Sequence, residues 1–551
     1  MVKYMKSLLT VVVLFSTMFA QTANAKIAGV VTGEDGTPLV GANVFVEGSD
    51  LGAATDELGR FFILNVPVGN YSVKAEYIGY KSYVESNIKT SVGFTTTVDF
   101  VMSVASVAGE EVNVVRERKL VNTNATNTTR VVDKELIDSF AVRGVGNIVN
   151  LQAGVVNGYF RGSRSGDNKY LIDGVPVKDL FGGGNFIGQV SQEALQEVSV
   201  QAGGASSEYG GANGGVINLT TKSGGNAWNF GVNAITALGE RTPSTEKDKL
   251  YSDGYQSITF DAGGPIAENL RMYASYTNLQ FLGALSSGYR VRGTVSHCYT
   301  LEECNAIDNL MAVQTITRNN NDTNVQASSL TPENNTTTYL GYSDYRRVWG
   351  PKTHDDSDTN RFVGNLVYST GPLKLKLGLQ ASDGVNRGSS NSTQIYNTGR
   401  TGSGSYNENT FNLAYLNVNY AISPLSYVKF TLSSQAYETE TTNERHGTDL
   451  ASYGVRSDLR TTNETATTDP YYYWRRNGLG NSSAQLVGLL GQSSFGYQYS
   501  SYYKRNTDTN TMSVDYTNQI GYNEFKMGAS IENHEISYYS NPNPERITYN
   551  I

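Results

Sequence analysis

From residue 226 onward the chain repeats one pattern, segments in which apolar and polar residues alternate with a period of two. In 373–380, Leu373, Leu375, Leu377 and Leu379 alternate with Lys374, Lys376, Gly378 and Gln380. Val428, Phe430, Leu432 and Ala436 alternate with Lys429, Thr431, Ser433 and Gln435, and Phe525, Met527, Ala529 and Ile531 with Lys526, Gly528, Ser530 and Glu532. Successive side chains of a strand point to opposite faces, so each segment predicts a strand with one apolar and one polar face. Nine strands are predicted, near 226–238, 252–263, 270–282, 360–370, 373–383, 409–423, 425–438, 509–521 and 524–538. Short turns at 263–269, 371–372, 423–424 and 521–523 alternate with long polar loops that include 283–359 and 439–508. Apolar residues toward lipid, polar residues toward a lumen, tight turns at one rim and long loops at the other define a transmembrane antiparallel β-barrel.

Hydrophobic residues make up only 39% of the 551, which rules out a helical membrane protein but not a barrel, whose alternating strands average to weak hydropathy. Tyr (37) outnumbers Phe (19), and 57 Gly suit aromatic girdles and tight turns; a secreted Tyr-rich β-protein would share this composition. The net charge of -8, with no basic face to neutralise phosphates, predicts no nucleic-acid partner. Nine strands would leave open edges in a medium that cannot satisfy them, so a partial barrel and a C-terminally truncated fragment are expected.

Residues 1–25 read as a signal peptide: Lys3 and Lys6 precede an apolar run from 8 to 20, and Ala23-Asn24-Ala25 supplies the small-residue cleavage site. The chain is therefore expected to leave the cytoplasm, where its two cysteines, Cys298 and Cys304, would close a small loop as a disulfide. The adjacent His297 offers metal binding as the competing reading, weakened by the want of a fourth ligand.

Residues 26–104 predict an all-β sandwich. Asp35-Gly36 and Val66-Pro67-Val68-Gly69-Asn70 supply turns, and Tyr71, Val73, Ala75 and Tyr77 alternate with Ser72, Lys74 and Glu76. The segments Gly36-Thr37-Pro38-Leu39-Val40-Gly41-Ala42-Asn43-Val44, Thr55-Asp56-Glu57-Leu58-Gly59-Arg60-Phe61 and Ile78-Gly79-Tyr80 resemble the carboxypeptidase-regulatory-like domain. No His lies in 27–103, so a zinc-peptidase site is not expected there; the resemblance implies a noncatalytic N-terminal extension.

Residues 122–225 combine charged loops with short β-runs. A strand through Val131, Val132 and Ile137 leads to a short helix carrying Ile148, Val149 and Leu151 and stopped at Gly154. Phe160-Arg161-Gly162 follows, then the strand Tyr170-Leu171-Ile172-Asp173 turning at Gly174, a helical turn over 191–196, and the strand Glu197-Val198-Ser199-Val200. The stretch closes on Glu208-Tyr209-Gly210-Gly211-Ala212-Asn213-Gly214-Gly215-Val216-Ile217-Asn218-Leu219. A phosphate-binding loop is ruled out because no Gly-Lys-Ser/Thr opens a helix here. This order resembles the plug domain of TonB-dependent outer-membrane receptors, of the Bacteroidota, Oar-like or SusC-like type. The fold expected is mainly β: a sandwich, a small α+β plug, and in 226–551 the first part of a barrel. A plug on the periplasmic side makes the first barrel strand run outward, so the first connection should be a surface loop and the second a tight turn, as the sequence has them.

Between sandwich and plug, residues 105–121 form a linker with strand propensity at Val112, Val114 and Val115 but charged or small flanks and no evident core to join. By position and sequence, Glu111, Val112, Asn113, Val114, Val115 and Arg116 resemble a TonB box, an extended segment that adds to a partner's sheet edge; a plain linker is the alternative. Arg161, Arg164, Asp167, Lys169 and Asp173 concentrate charge in the plug, either as a latch to the barrel wall or as ligand contacts.

His297, His354, His446 and His534 are scattered, and no catalytic constellation, metal site or cofactor is predicted. Asp356, Asp358 and Asn360 lack the remaining positions of a calcium loop. The resemblance implies an energised importer in the outer membrane, with periplasmic N-terminal domains, TonB with ExbB and ExbD as partners, lipid around the barrel, and an unidentified ligand that a surface lipoprotein could help capture. A surface binding or adhesion protein anchored by the barrel is the alternative.

Overall fold

The computed structural model describes residues 25–542 apart from 50, 106–110, 116–128, 182–187, 204–207, 242–247, 284, 293–294, 299–309, 320–334, 344, 352–354, 389–404, 444–446, 451–500 and 522. Residues 1–24 of the predicted leader, Arg116 and Cys304 lie outside these residues; Cys298 ends a described strand, so the predicted disulfide is not described.

The N-terminal unit is a two-sheet sandwich. One sheet holds β1 (Ala25–Gly33), β4 (Arg60–Val66), β7 (Thr95–Thr97) and β8 (Phe100–Met102). The other runs β3 (Gly52–Ala54), β2 (Asn43–Val46), β5 (Gly69–Glu76), β6 (Ser82–Thr90) and β9 (Glu111–Val115). Alternation dictates the core: Val73 and Ala75 of β5 are fully buried and pack with Ile27, Val44, Phe61, Ile63, Ile88 and Met102. The strand β9 departs from the sequence expectation. Residues 111–115, read as having no core to join, pair in parallel with β6, Ser82 opposite Glu111 through Ser86 opposite Val115. β6 would otherwise be an open edge, and unpaired N–H and C=O groups favour any extended chain within reach.

The plug sheet runs β10 (Thr129–Asp133), β15 (Leu195–Ala202), β16 (Gly215–Thr221), β13 (Asn168–Ile172) and β14 (Val175–Pro176), with β13 and β16 parallel and the other pairs antiparallel. A separate two-stranded hairpin joins β11 (Val155–Val156) to β12 (Tyr159–Phe160). Helix α2 (Val145–Asn150) buries Val145, Ile148 and Val149; Leu151, expected within it, is instead its C-cap and is exposed. The strand predicted through Ile137 ends sooner. Asp133 caps a short helix α1 (Lys134–Ser139) by accepting the Leu136 N–H, and a capped turn wins over the β propensity of the residues that follow. The central strand β16 is buried along its whole length, and a Cβ on Gly215 would lie 2.5 Å from the Phe160 ring and 2.8 Å from the Gln201 carbonyl, so only glycine fits there.

The third unit is a nine-stranded antiparallel sheet in sequence order: β17 (Asn229–Thr236), β18 (Gln256–Ala267), β19 (Leu270–Phe281), β25 (Ser357–Thr370), β26 (Leu373–Gly388), β27 (Ser405–Ser423), β28 (Ser426–Asn443), β29 (Tyr502–Ile520) and β30 (Asn523–Asn541). All nine predicted strands are present, several extended toward the long loops. The loop after β19 carries five more strands, β20 (Leu285–Arg292), β21 (Val295–Cys298), β22 (Leu310–Asn319), β23 (Asn335–Ser343) and β24 (Tyr345–Pro351), in two small sheets.

The faces are distributed as in a membrane barrel. The register aligns Met272, Leu366, Leu377, Leu416, Leu432, Met512 and Ile531 into one apolar row across seven strands. Leu366, Leu377, Met512 and Ile531 on that row are exposed, while the polar residues of the opposite face, Lys376, Gln380, Asn417 and Thr431, are buried. In water this distribution would forfeit the hydrophobic gain that folds a soluble sheet; facing hydrocarbon, it is the favourable one. One strand departs from the polar-inside rule. Phe411, Leu413 and Tyr415 of β27 point inward and join the plug's own core, so plug and wall share an apolar contact there.

Candidate functional site

The site is the contact between plug and barrel wall. Its centre is the turn Ile172-Asp173-Gly174-Val175, a two-residue hairpin between β13 and β14. Asp173 (φ 50°) and Gly174 (φ 82°) are both left-handed, the arrangement for which Asp-Gly is favoured in tight hairpins. The turn drives Asp173 against the wall with only 1% of its surface exposed. There the Lys376 ammonium lies 2.8 Å from one carboxylate oxygen, and Tyr415 donates its hydroxyl to the other. Thr221 donates from its hydroxyl at 2.5 Å and from its backbone N–H at 3.2 Å, and Asn417 donates to the Asp173 carbonyl at 3.1 Å. Lys376 and Asn365 also donate to the Thr221 hydroxyl, at 3.1 and 3.3 Å. A buried ion pair is retained only when its remaining hydrogen-bonding capacity is met, and this one is met from both sides of the plug–wall boundary.

A second contact lies on the loop after β14. Asp179 meets Arg505 of β29 at 3.0 Å, with side chains 6% and 10% exposed. The guanidinium sits 5.2 Å from the centre of the Tyr437 ring and 5.5 Å from that of Phe181, within the range of cation–π attraction. Gln189 accepts from Arg361 at 2.9 Å nearby in sequence.

Of the five charged plug residues singled out from sequence, Asp173 is placed on the wall. The Arg161 side chain packs beside Gly154 and Gly203, the Arg164 backbone N–H donates to the Asp167 carboxylate, and Lys169 reaches the Gly210 carbonyl, all contacts inside the plug. The wall residues Lys376, Asn417, Tyr415 and Arg505 and the plug's Asp179 and Thr221 were not marked by sequence. Lys376 was legible only as a lysine on the inner face of a leucine strand.

The sandwich also touches both other units. Lys89 pairs with Asp133 at 3.1 Å and Glu135 at 2.8 Å, and the Val92 N–H donates to Glu197 at 3.2 Å. Burial pushes the Glu197 carboxyl up to about 7; the Ser91 hydroxyl and the Val92 N–H oppose that shift, and the Asp133 charge adds to it. Lys26 reaches Gln519 at 3.0 Å and Glu524 at 2.7 Å, beside the tight turn between β29 and β30, so the sandwich lies at the short-turn end of the barrel sheet. The segment 111–115 is held on this sandwich, away from the plug sheet.

A sandwich, an α+β plug and an antiparallel sheet with an apolar outer face, whose inner wall grips the plug, have the layout of a plugged β-barrel. Family models agree: residues 26–103 match the carboxypeptidase regulatory-like domain and residues 110–216 the TonB-dependent receptor plug domain. Over 240 residues, 39% of the chain, it is 29% identical to the TonB-dependent transporter Oar of Myxococcus xanthus, and over 232 residues, 38% of the chain, 27% identical to a TonB-dependent receptor of Formosa agariphila. The chain thus carries a carboxypeptidase regulatory-like domain and a TonB-dependent receptor plug domain, and the relatives it resembles are TonB-dependent transporters and receptors. Its matches span 22% and 21% of those two relatives' lengths. A variant of the ferric enterobactin receptor of Pseudomonas aeruginosa covers 75% of the chain and 49% of its own length at 13% identity and a TM-score of 0.43, too distant a likeness to inform the ligand.

Proposed function

We propose that the chain forms the gated part of an outer-membrane receptor that takes up a scarce or bulky ligand at the expense of energy from the inner membrane. The observation that carries this reading is the division of labour between two segments. The plug is fastened to the wall through the buried Asp173–Lys376 pair, while 111–115 lies on the sandwich as a strand whose second edge no other strand covers among the described residues. TonB, driven by ExbB and ExbD, takes hold of 111–116 from the periplasm. The pull is transmitted through the linker to β10, at the edge of the plug sheet. Local unfolding from that edge then frees the Asp173 hairpin and opens the lumen, drawing on the least stable part of the fold as such transitions do.

Lipid surrounds the Leu366–Leu377–Leu416 row, the long loops face the outside, and the sandwich and linker are periplasmic. Ligand capture falls to the long loops, where a surface lipoprotein could contribute. Deletion of 111–116 from the full-length receptor is expected to leave ligand binding intact and abolish uptake; uptake at the parental rate would remove the segment from the mechanism.

A further inference from the structure

We infer that the sandwich presents the 111–115 strand to TonB rather than hiding it, so that the incoming TonB strand becomes the sixth strand of the sandwich's β3-β2-β5-β6-β9 sheet. The inference rests on the reading of 111–116 as the TonB-engaging segment and adds what that segment is bound to when it is engaged.

Three observations point this way. β9 uses one edge for β6, in five register pairs from Ser82–Glu111 to Ser86–Val115, and among the described residues no strand covers its other edge. Strand addition needs only one edge, because the N–H and C=O groups of a strand point alternately to its two sides. The open edge is also lightly defended: β9 is short and carries one charge, Glu111. Proteins blunt exposed edges with short strands, charged side chains, above all lysine, proline or a bulge. Glu111-Val112-Asn113-Val114-Val115 has no lysine or proline, and no register irregularity interrupts its pairing with β6. The exposed Val114 gives it the β-branched character that favours strand pairing. Finally, release would uncover residues 82–86 of β6, which β9 covers in five register pairs. Staying in place avoids opening that edge. It also means that TonB meets a strand already ordered, without the entropy loss of ordering a flexible segment on binding.

The pull would then enter through a folded domain. Lys89, on β6 itself, is paired to Asp133 and Glu135, and Val92 to Glu197, so the sandwich grips the plug where β10 ends and α1 begins.

The test is a strand that cannot leave. Glu85 and Val114 are register partners on β6 and β9. In the full-length receptor, Glu85→Cys with Val114→Cys is joined by a short bifunctional thiol reagent, and binding of the purified periplasmic domain of TonB is compared before and after joining, the parent receptor being treated alongside to account for Cys298 and Cys304. Affinity held within about threefold on joining supports presentation; a fall of about tenfold or more means that the strand must detach, and overturns it. A separate arm removes 111–115. If TonB binding is then unchanged, the segment is not the point of engagement and the underlying reading fails, a result distinct from loss of binding on joining alone.

Discussion

Asp173 shows how much a single position can carry. It is the first residue of a left-handed Asp-Gly turn, the acid of a buried ion pair, and the acceptor for Tyr415 and Thr221. These roles separate on substitution. Asp173→Asn keeps a residue that tolerates positive φ but removes the charge, leaving the Lys376 ammonium buried without its counter-ion. Loss of one partner of such a pair costs about 3–5 kcal/mol, whereas replacing both by groups of similar volume is often close to neutral. Lys376→Met alone and Asp173→Asn alone are therefore both expected to raise amide hydrogen exchange in β13, β14 and β16, and the double substitution to recover much of the protection. Additive losses would mean that the two groups are not coupled. Asp173 was legible in the sequence because Asp-Gly between two β-runs has a local signature. Its partners were not, because Lys376, Tyr415 and Asn417 lie some two hundred or more positions away and nothing in their own neighbourhoods names an acid. The same holds for Asp179 and Arg505.

At the scale of elements, the strands were the most legible part of the chain, since the two-residue period is local and each strand states its own faces. Their ends were less so. β29 begins at Tyr502 and β28 runs to Asn443, beyond the predicted limits, because both strands continue as polar ladders past the apolar band, where alternation of hydrophobicity no longer marks them. The inward Phe411 and Leu413 of β27 were legible only as apolar residues; their purpose depends on a plug surface that folds from another part of the chain. The strand β9 was legible as a strand and illegible in its pairing, because the edge it joins is made by a different domain. Leu377 lies near the middle of the apolar row and faces outward. Leu377→Arg is expected to destabilise the barrel by about 2–4 kcal/mol if it sits at the bilayer midplane, read as a lower midpoint of urea unfolding in lipid vesicles. An unchanged midpoint would contradict the lipid-facing assignment of that row.

Across the whole molecule, the plug is fastened to the wall and to the sandwich in different ways, and Lys26 ties the sandwich to the barrel sheet. Plug and wall are joined by the buried ion pairs of Asp173 and Asp179, together with shared apolar packing. Sandwich and plug are joined by the partly exposed Lys89 pairs and the Glu197 contact. Exposed ion pairs such as Lys89–Glu135 contribute about 0–1 kcal/mol, so the sandwich–plug joint rests chiefly on the buried Glu197 contact, against two buried ion pairs and apolar packing between plug and wall. That ordering suits a device in which a pull from the periplasm is felt first by the extension and last by the latch. The most direct measurement is the exposure of the wall beneath the plug. Thr431 lies on the inner face opposite Asn417 in the register, with 3% of its surface exposed. In cells carrying full-length Thr431→Cys, an impermeant maleimide added from outside is expected to label the new thiol when ligand, TonB and the inner-membrane gradient are all present, and to leave it unlabelled once 111–116 is deleted or the gradient is collapsed. Labelling at the same rate in all of these conditions would contradict a plug released by a pull on that segment.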